Sequence, residues 1–79
     1  MSKLNIISTK KMIKILLFLG YEVIRKKGSH QFFLNKENTK TTVIPVHNNE
    51  DLGPGLLKNI LRDIDLSVDD YEKLRNKIN

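Results

Sequence analysis

Two strand-like runs separated by two turn-prone residues constrain the fold of this chain more than any other stretch. The first run, residues 21–27, reads Tyr-Glu-Val-Ile-Arg-Lys-Lys, and the second, residues 30–35, begins His-Gln-Phe-Phe. Gly28 and Ser29 lie between them. Turn-forming pairs between β-branched or aromatic runs are typical of a tight β-hairpin. The sequence therefore predicts strands over 21–27 and 30–35, with a histidine and several cations at the closed end.

The two-residue turn also predicts which residues face each other across the hairpin. The predicted pairs are Lys27 with His30, Arg25 with Phe32, and Val23 with Leu34. Charged side chains resist burial, so the face that carries Arg25, Lys27 and His30 is expected to meet solvent. Ile24 and Phe33, on the other face, are expected to meet the core.

A helix is predicted before the hairpin. Ser8-Thr9 can cap a helix that begins near Lys10, and Gly20 is well placed as the residue just after its end. The predicted apolar stripe has i, i+3, i+4 spacing and consists of Ile13, Leu16 and Leu17.

One strand and two helices are predicted after the hairpin. Thr41–Val46 has strand composition, and Pro45 indicates an edge strand or a strand end because proline has no amide to donate. Pro54 suits the first turn of a second helix, and Ser67 suits the N-cap of a third. Their predicted stripes are Leu57, Ile60, Leu61 and Ile64, then Val68, Tyr71, Leu74 and Ile78.

The predicted order of elements is thus α-β-β-β-α-α. It corresponds to an α+β fold in which a three-stranded antiparallel sheet carries helices on one face and leaves the other face open for a partner. A chain of 79 residues is expected to form one domain over residues 1–79.

Charge is distributed unevenly along the chain. Residues 1–40 hold nine Lys and Arg against two Glu, a balance of +7, whereas residues 41–79 hold five against seven Asp and Glu, a balance of −2. A basic half suits a polyanion such as RNA, because each phosphate contact releases counterions. Lysines that merely solvate a small protein explain the charge equally well.

Several classes of protein are disfavoured by composition. The chain has no cysteine, which excludes disulfides and thiolate metal sites and suits a reducing cytoplasm. Its longest apolar run, Ile15–Leu19, has five residues and is too short for a signal peptide or a membrane span. The two histidines show no metal-ligand spacing, so neither a metal nor another cofactor is expected.

His30 is the leading candidate for chemistry. Histidine titrates near neutrality, so it can take a proton from a ribose 2′-hydroxyl or return one to a leaving oxygen. Arg25 and Lys27 are placed to hold a phosphate and to stabilise charge on its oxygens. From composition alone, a solvated histidine at a hairpin end is the more common situation.

The other candidates would bind phosphate or RNA around His30. Lys26 adds a cation, and Ser29 offers a backbone amide, although the first role of Gly28-Ser29 is to form the turn. His47 follows the third strand and is a candidate for a second acid/base group or a phosphate contact; a loop histidine without a role fits as well. Phe32 can stack on a base if it faces outward.

Two blocks of this sequence resemble one protein family. Gly20-Tyr21, then Arg25-Lys26-Lys27-Gly28-Ser29-His30 followed by Phe33, resembles the Gly-Ser-His hairpin of HicA-type toxins, the YcfA-like family. Val43–His47, then Gly55–Leu57 and Ile60-Leu61, is similar to the second block of that family. The chain departs from the family at Pro54-Gly55-Leu56 and in the aspartates that end the second helix; neither departure touches the hairpin.

The resemblance implies a fold like a double-stranded-RNA-binding domain and a ribosome-independent mRNA interferase activity. Such a protein would be the toxin of a type II toxin–antitoxin system, a metal-independent endoribonuclease that inhibits translation and growth. The matching catalytic histidine would be His30, and the partner would be a HicB-type antitoxin that covers the site.

Two other functions remain open at this point. The first is a non-catalytic RNA-binding module that uses the same basic face. The second is an inactive toxin that is retained because it assembles with its antitoxin.

Overall fold

The computed structural model describes residues 4–47 and 50–78. Within these residues the chain forms five strands and three helices. Their bounds, in chain order, are β1 Ile7–Ser8, α1 Thr9–Phe18, β2 Tyr21–Lys27, β3 His30–Asn35, β4 Thr41–Pro45, β5 Asp51–Leu52, α2 Pro54–Asp63 and α3 Val68–Lys77.

α1 begins where the capping residue predicts. The Ser8 Oγ accepts a hydrogen bond from the Lys11 amide at 3.2 Å. After the helix, Gly20 has a φ of +97°, which glycine adopts without the clash of a Cβ. The buried residues of α1 are Thr9, Met12, Ile15 and Leu16. The predicted stripe is therefore wrong at Leu17, which is 53% exposed. The stripe that packs into the core has the same spacing but begins one residue earlier, at Met12.

The three-stranded sheet has the order β2-β3-β4 and is antiparallel throughout. Phe33, Thr42 and Ile44 project from one face and are at most 2% exposed. They share the core with α1 and α2, and the Thr42 hydroxyl donates to an Asp63 carboxylate oxygen at the end of α2 at 3.0 Å. All four residues of the predicted α2 stripe are buried. The predicted α+β architecture, with an open sheet face, is confirmed.

The closed end of the hairpin has the predicted register. Three successive cross-strand pairs lead away from the turn: Lys27 with His30, Lys26 with Gln31, and Arg25 with Phe32. Gly28 has a φ of +57°, and Ser29 does not adopt a positive φ. This combination is that of a type II′ turn, which places glycine at its first central position.

The far end of the hairpin departs from the predicted register. A β-bulge lies between Val23 and Arg25, so that Val23 pairs with Phe33 rather than with Leu34. The inserted residue is Ile24, which is 53% exposed. The prediction that Ile24 faces the core is wrong, because the extra residue of a bulge leaves the strict alternation of the strand.

A short pairing that the sequence did not predict joins the start of the chain to the segment before α2. β1 and β5 are antiparallel neighbours of two residues each. The following residue, Thr9, is 2% exposed and bonds the Glu50 carbonyl twice, from its amide at 3.0 Å and from its hydroxyl at 2.6 Å. These contacts fix the segment that begins at Glu50 against the start of α1.

α3 is fixed to both the core and the beginning of the chain. Tyr71 is 0% exposed, and its hydroxyl donates to the Asn5 carbonyl at 2.6 Å. The Asn5 side-chain amide donates to Glu72 at 2.8 Å, and Arg75 donates two hydrogen bonds to the same carboxylate at 3.0 Å each. Ser67 caps the helix as predicted. The third helix is therefore part of the packed structure.

Candidate functional site

The open sheet face at the closed end of the hairpin carries an imidazole, two cations and an aromatic ring. Lys27 and His30 form the pair next to the turn, and Arg25 and Phe32 form the next pair on the same face. Directly opposed residues in an antiparallel sheet have Cβ atoms about 4.5–5.5 Å apart, so one phosphate group can contact both members of a pair. The predicted common face of Arg25, Lys27 and His30 is therefore present.

His30 occupies the central strand of the sheet. Its cross-strand neighbours are Lys27 on one side and Pro45 on the other. The side chain is exposed, and within residues 4–47 and 50–78 no hydrogen bond or ion pair engages its ring. A regular strand thus fixes the backbone of His30 while both ring nitrogens stay accessible to a ligand.

Arg25 is oriented by an aromatic contact. Its Cζ lies 5.8 Å from the centroid of the Phe32 ring, within the range of a cation–π interaction. Phe32 faces outward, as base stacking would require, but the guanidinium already lies over its ring. Such an orientation leaves the guanidinium N–H groups available for an anion on the side of the sheet that carries His30.

Lys26 and Ser29 take different positions from the other predicted phosphate ligands. Lys26 pairs with Gln31, one residue out of phase with Lys27, and therefore projects from the helix side of the sheet. Ser29 lies in the turn, where its carbonyl accepts the Val46 amide at 2.6 Å. The predicted phosphate ligands of the hairpin therefore lie on both faces of the sheet. Arg25 and Lys27 are on the open face, Lys26 is on the helix side, and Ser29 is in the turn.

His47 lies beyond the end of β4 and outside the Lys27–His30 pair. It is exposed, and its carbonyl accepts the Glu50 amide at 2.9 Å. Its side chain borders a cavity of about 250 Å³ that Pro45 and Leu56 also line. Because Pro45 is the cross-strand neighbour of His30, this cavity adjoins the candidate site.

The sequence does not predict another cavity, of about 320 Å³. Its lining residues come from the start of α1 and from the residue after β4, and they are Thr9, Lys10, Ile13 and Val46. The only hint in the sequence is that Lys10 and Ile13 are three residues apart on one helix, and so share a side of it. The approach of Val46 depends on the tertiary fold.

Two kinds of feature are absent from the described part of the chain. No three side chains of the His, Asp or Glu type come together there in a way that could hold a metal ion. The described helices are all too short or too polar to cross a membrane.

The sheet and its flanking helices match a known family. The family model described as the HicA toxin of bacterial toxin–antitoxin systems matches residues 9–66, which run from the first residue of α1 past the end of α2 and include the whole hairpin. No curated protein matches the chain. Since the match covers well over half of the sequence, this chain belongs to the HicA family of bacterial toxins.

Proposed function

We propose that this chain is an endoribonuclease that cleaves mRNA, and that this cleavage is the basis of its toxicity. Membership of the family supports the coarser role, a toxin with an antitoxin partner. The observation that carries the finer proposal is the exposed Lys27–His30 pair on the open sheet face, with Arg25 on the same face. A proton-transfer group beside two cations can catalyse the attack of a ribose 2′-hydroxyl on the adjacent phosphate.

His30 acts as the general base in this scheme. It removes the proton of a ribose 2′-hydroxyl, and the 2′-oxygen then attacks the adjacent phosphorus. The bond to the 5′-oxygen of the next nucleotide breaks, and that oxygen takes up a proton from the imidazolium or from water. The products are a 2′,3′-cyclic phosphate and a 5′-hydroxyl, and the scheme uses no metal ion.

Arg25 and Lys27 bind the non-bridging oxygens of the cleaved phosphate. Negative charge increases on these oxygens in the transition state, so cations on a fixed sheet stabilise it more than the ground state. The bulge at Ile24 directly precedes Arg25, and the pairing with β3 is regular from Arg25 to the turn.

The remaining predicted residues act around this centre. Lys26 and the Ser29 amide bind phosphates next to the cleaved one, Lys26 from the helix side and Ser29 from the turn. His47 approaches from beyond Pro45 as a second proton-transfer group or a phosphate contact. A HicB-type antitoxin in the cytoplasm would block cleavage by covering the open face.

A non-catalytic RNA-binding module is the second candidate function. The observation that favours it is that Arg25, Lys27 and Phe32 can bind RNA whether or not His30 transfers a proton. Incubation of purified protein with RNA in EDTA separates the two functions. Products support cleavage, whereas a mobility shift with intact RNA supports binding alone.

The proposal is tested by inducing wild-type protein and His30→Ala in cells and measuring growth and transcript integrity together. Wild type is expected to arrest growth and fragment transcripts, and His30→Ala to do neither, since loss of a general base costs about 10²–10⁴-fold in rate. Lys58→Ala is the control, because it removes an exposed side chain of α2 that takes no part in the proposed chemistry. Full toxicity and cleavage by His30→Ala would contradict the mechanism.

A further inference from the structure

The 320 Å³ cavity lies on the helix side of the sheet, next to the hairpin turn. Its size is at the lower end of the ~300–1,000 Å³ that small-ligand pockets occupy. Ile13 and Val46 provide apolar walls, and Lys10, which is exposed, adds an ammonium group.

The cavity is separated from His30 by the thickness of one sheet. The Val46 amide bonds the Ser29 carbonyl at 2.6 Å, so the cavity wall adjoins the turn. Pro45, one residue earlier, pairs with His30. Because side chains alternate along an extended strand, Val46 and Pro45 project to opposite sides. A chain that crosses the turn can therefore reach His30 on one face and the cavity on the other.

Charge around the cavity favours an anionic ligand. Lys10 lines it from α1. Lys26 does not line it, but it projects from the same side of the sheet, in the second cross-strand pair from the turn. Neither lysine has a carboxylate partner among the described residues. Glu50 and Asp51 line the 250 Å³ cavity, which shares Thr9 with this one, and neither acidic residue lines the 320 Å³ cavity itself.

We propose that this cavity binds the base of an unpaired RNA nucleotide adjacent to the cleaved phosphate, and that Lys10 binds the phosphate of that nucleotide. Single-stranded RNA is commonly recognised through bases that are splayed out onto apolar or aromatic surfaces. The proposal rests on the proposed ribonuclease function. It makes Ile13 and Val46 determinants of the nucleotide preference at one position beside the cut.

Cleavage of a random-sequence RNA library measures this preference. Ile13→Tyr fills the cavity, and Leu17→Tyr is the matched control because Leu17 lies one turn later on α1 and is exposed. We expect Ile13→Tyr to change the preference at one position by about 10-fold or more, as a single pocket contact can, and Leu17→Tyr to leave it unchanged. Lys10→Ala, which removes only an exposed group, is expected to raise KM several-fold with little change in kcat.

A binding measurement keeps the test independent of folding defects and of cleavage. ¹⁵N-labelled His30→Ala protein is titrated with AMP, GMP, CMP and UMP, and we expect amide shifts at Lys10, Ile13 and Val46 that are largest for one base. Unchanged cleavage preference together with absent shifts would overturn the proposal. If wild type cuts no RNA, the proposed function fails, and the titration alone decides: shifts at these amides support the cavity as a nucleotide site, and their absence overturns it.

Discussion

The hairpin end and the α3 end of this molecule differ in what their polar groups contact. At α3, the Glu72 carboxylate accepts hydrogen bonds from Arg75 and from the Asn5 side chain. At the hairpin, Lys27 and His30 are exposed, and the described part of the chain provides no hydrogen bond or ion pair to either side chain. The first end is held together by its polar groups, whereas the second leaves them free to meet a ligand.

Two ionisable groups at the α3 end have shifted pKa values. Burial, followed by the negative charge of Glu72, raises the pKa of Tyr71 to about 12. Hydrogen bonds from Arg75 are the largest cause that lowers the pKa of Glu72. Shifted pKa values often mark functional sites, but in this protein these two belong to a structural network that ties α3 to the start of the chain.

Tyr71→Ala should have the largest effect on stability of any change considered. It removes a fully buried ring together with its hydrogen bond to Asn5, which costs about 3–5 kcal/mol. A typical domain is stabilised by ~0.05–0.15 kcal/mol per residue. Over 79 residues this is about 4–12 kcal/mol, so the loss is a large part of the total free energy of unfolding. Urea unfolding followed by circular dichroism measures the loss. His30→Ala is the control and should change the free energy of unfolding by less than about 0.5 kcal/mol; comparable losses at the two sites would remove the contrast.

Alkaline pH should weaken the protein in part through Tyr71, at the α3 end. The pKa of Tyr71 is about 12 in the folded protein and about 10 when the chain unfolds. The contribution of Tyr71 is therefore complete below pH of about 10 and is lost as the pH rises through about 12, by up to ~1.4 kcal/mol per unit. Urea midpoints measured across this range should fall less in Tyr71→Phe, which cannot ionise. A fall of the same steepness in both proteins would show that Tyr71 is not the group responsible.

Gly28→Ala should destabilise the hairpin by about 1–2 kcal/mol, because its φ of +57° is strained for a residue with a Cβ. The strain falls on the turn that positions His30, so RNA cleavage should fall as well. Gly55→Ala is the matched control: an added Cβ there meets no atom within 4 Å, and the position is helical. It should be neutral or stabilising by up to about 1 kcal/mol. A thermal unfolding scan that ranks the two variants equally would contradict this account of the turn.

Lys27→Ala should have the smallest effect on stability, within about 0.5 kcal/mol, because the side chain is exposed. Its effect should appear instead in RNA binding, where removal of one phosphate contact lowers the slope of log affinity against log salt by about 0.7 for a single strand. Lys58→Ala, a change of an exposed lysine on α2, is the control. Identical slopes for the two variants, measured with His30→Ala as background, would place the RNA elsewhere.

Local sequence signals predict most of the elements and the pairing at the closed end of the hairpin. Ser8 and Ser67 cap their helices because a serine oxygen satisfies amides only a few residues away. The Lys27–His30 pairing follows from the two-residue turn at Gly28-Ser29. Each of these features depends on neighbours in the chain, which the sequence displays directly.

Local signals do not predict a feature where two residues, or two stripes of residues, fit the expected pattern equally well. Val23 and Ile24 are both apolar, so nothing in the local sequence indicates which of them is the unpaired residue of the bulge. Met12 and Ile13 each head an equally spaced stripe on α1, and only packing selects the first. β1 and β5 have two residues each, too few for a periodic signal.

The candidate site also contains one part that the sequence predicts and one that it does not. The group formed by Arg25, Lys27 and His30 comes from one hairpin and was predicted from it. The neighbouring cavity requires Ile13 and Val46 to meet, and these residues are brought together only by the packing of α1 beside the end of β4. Nothing in the local sequence around Ile13 or Val46 predicts that these two residues meet.

The chemistry of the RNA ends tests the central claim most directly. Purified wild-type protein and His30→Ala are incubated with a synthetic RNA in EDTA, and the products are analysed by mass spectrometry. Wild type should yield 2′,3′-cyclic phosphate and 5′-hydroxyl ends, as attack by the 2′-oxygen requires, and His30→Ala should leave the RNA intact. Products with 3′-hydroxyl and 5′-phosphate ends, or the same products from both proteins, would contradict the role assigned to His30.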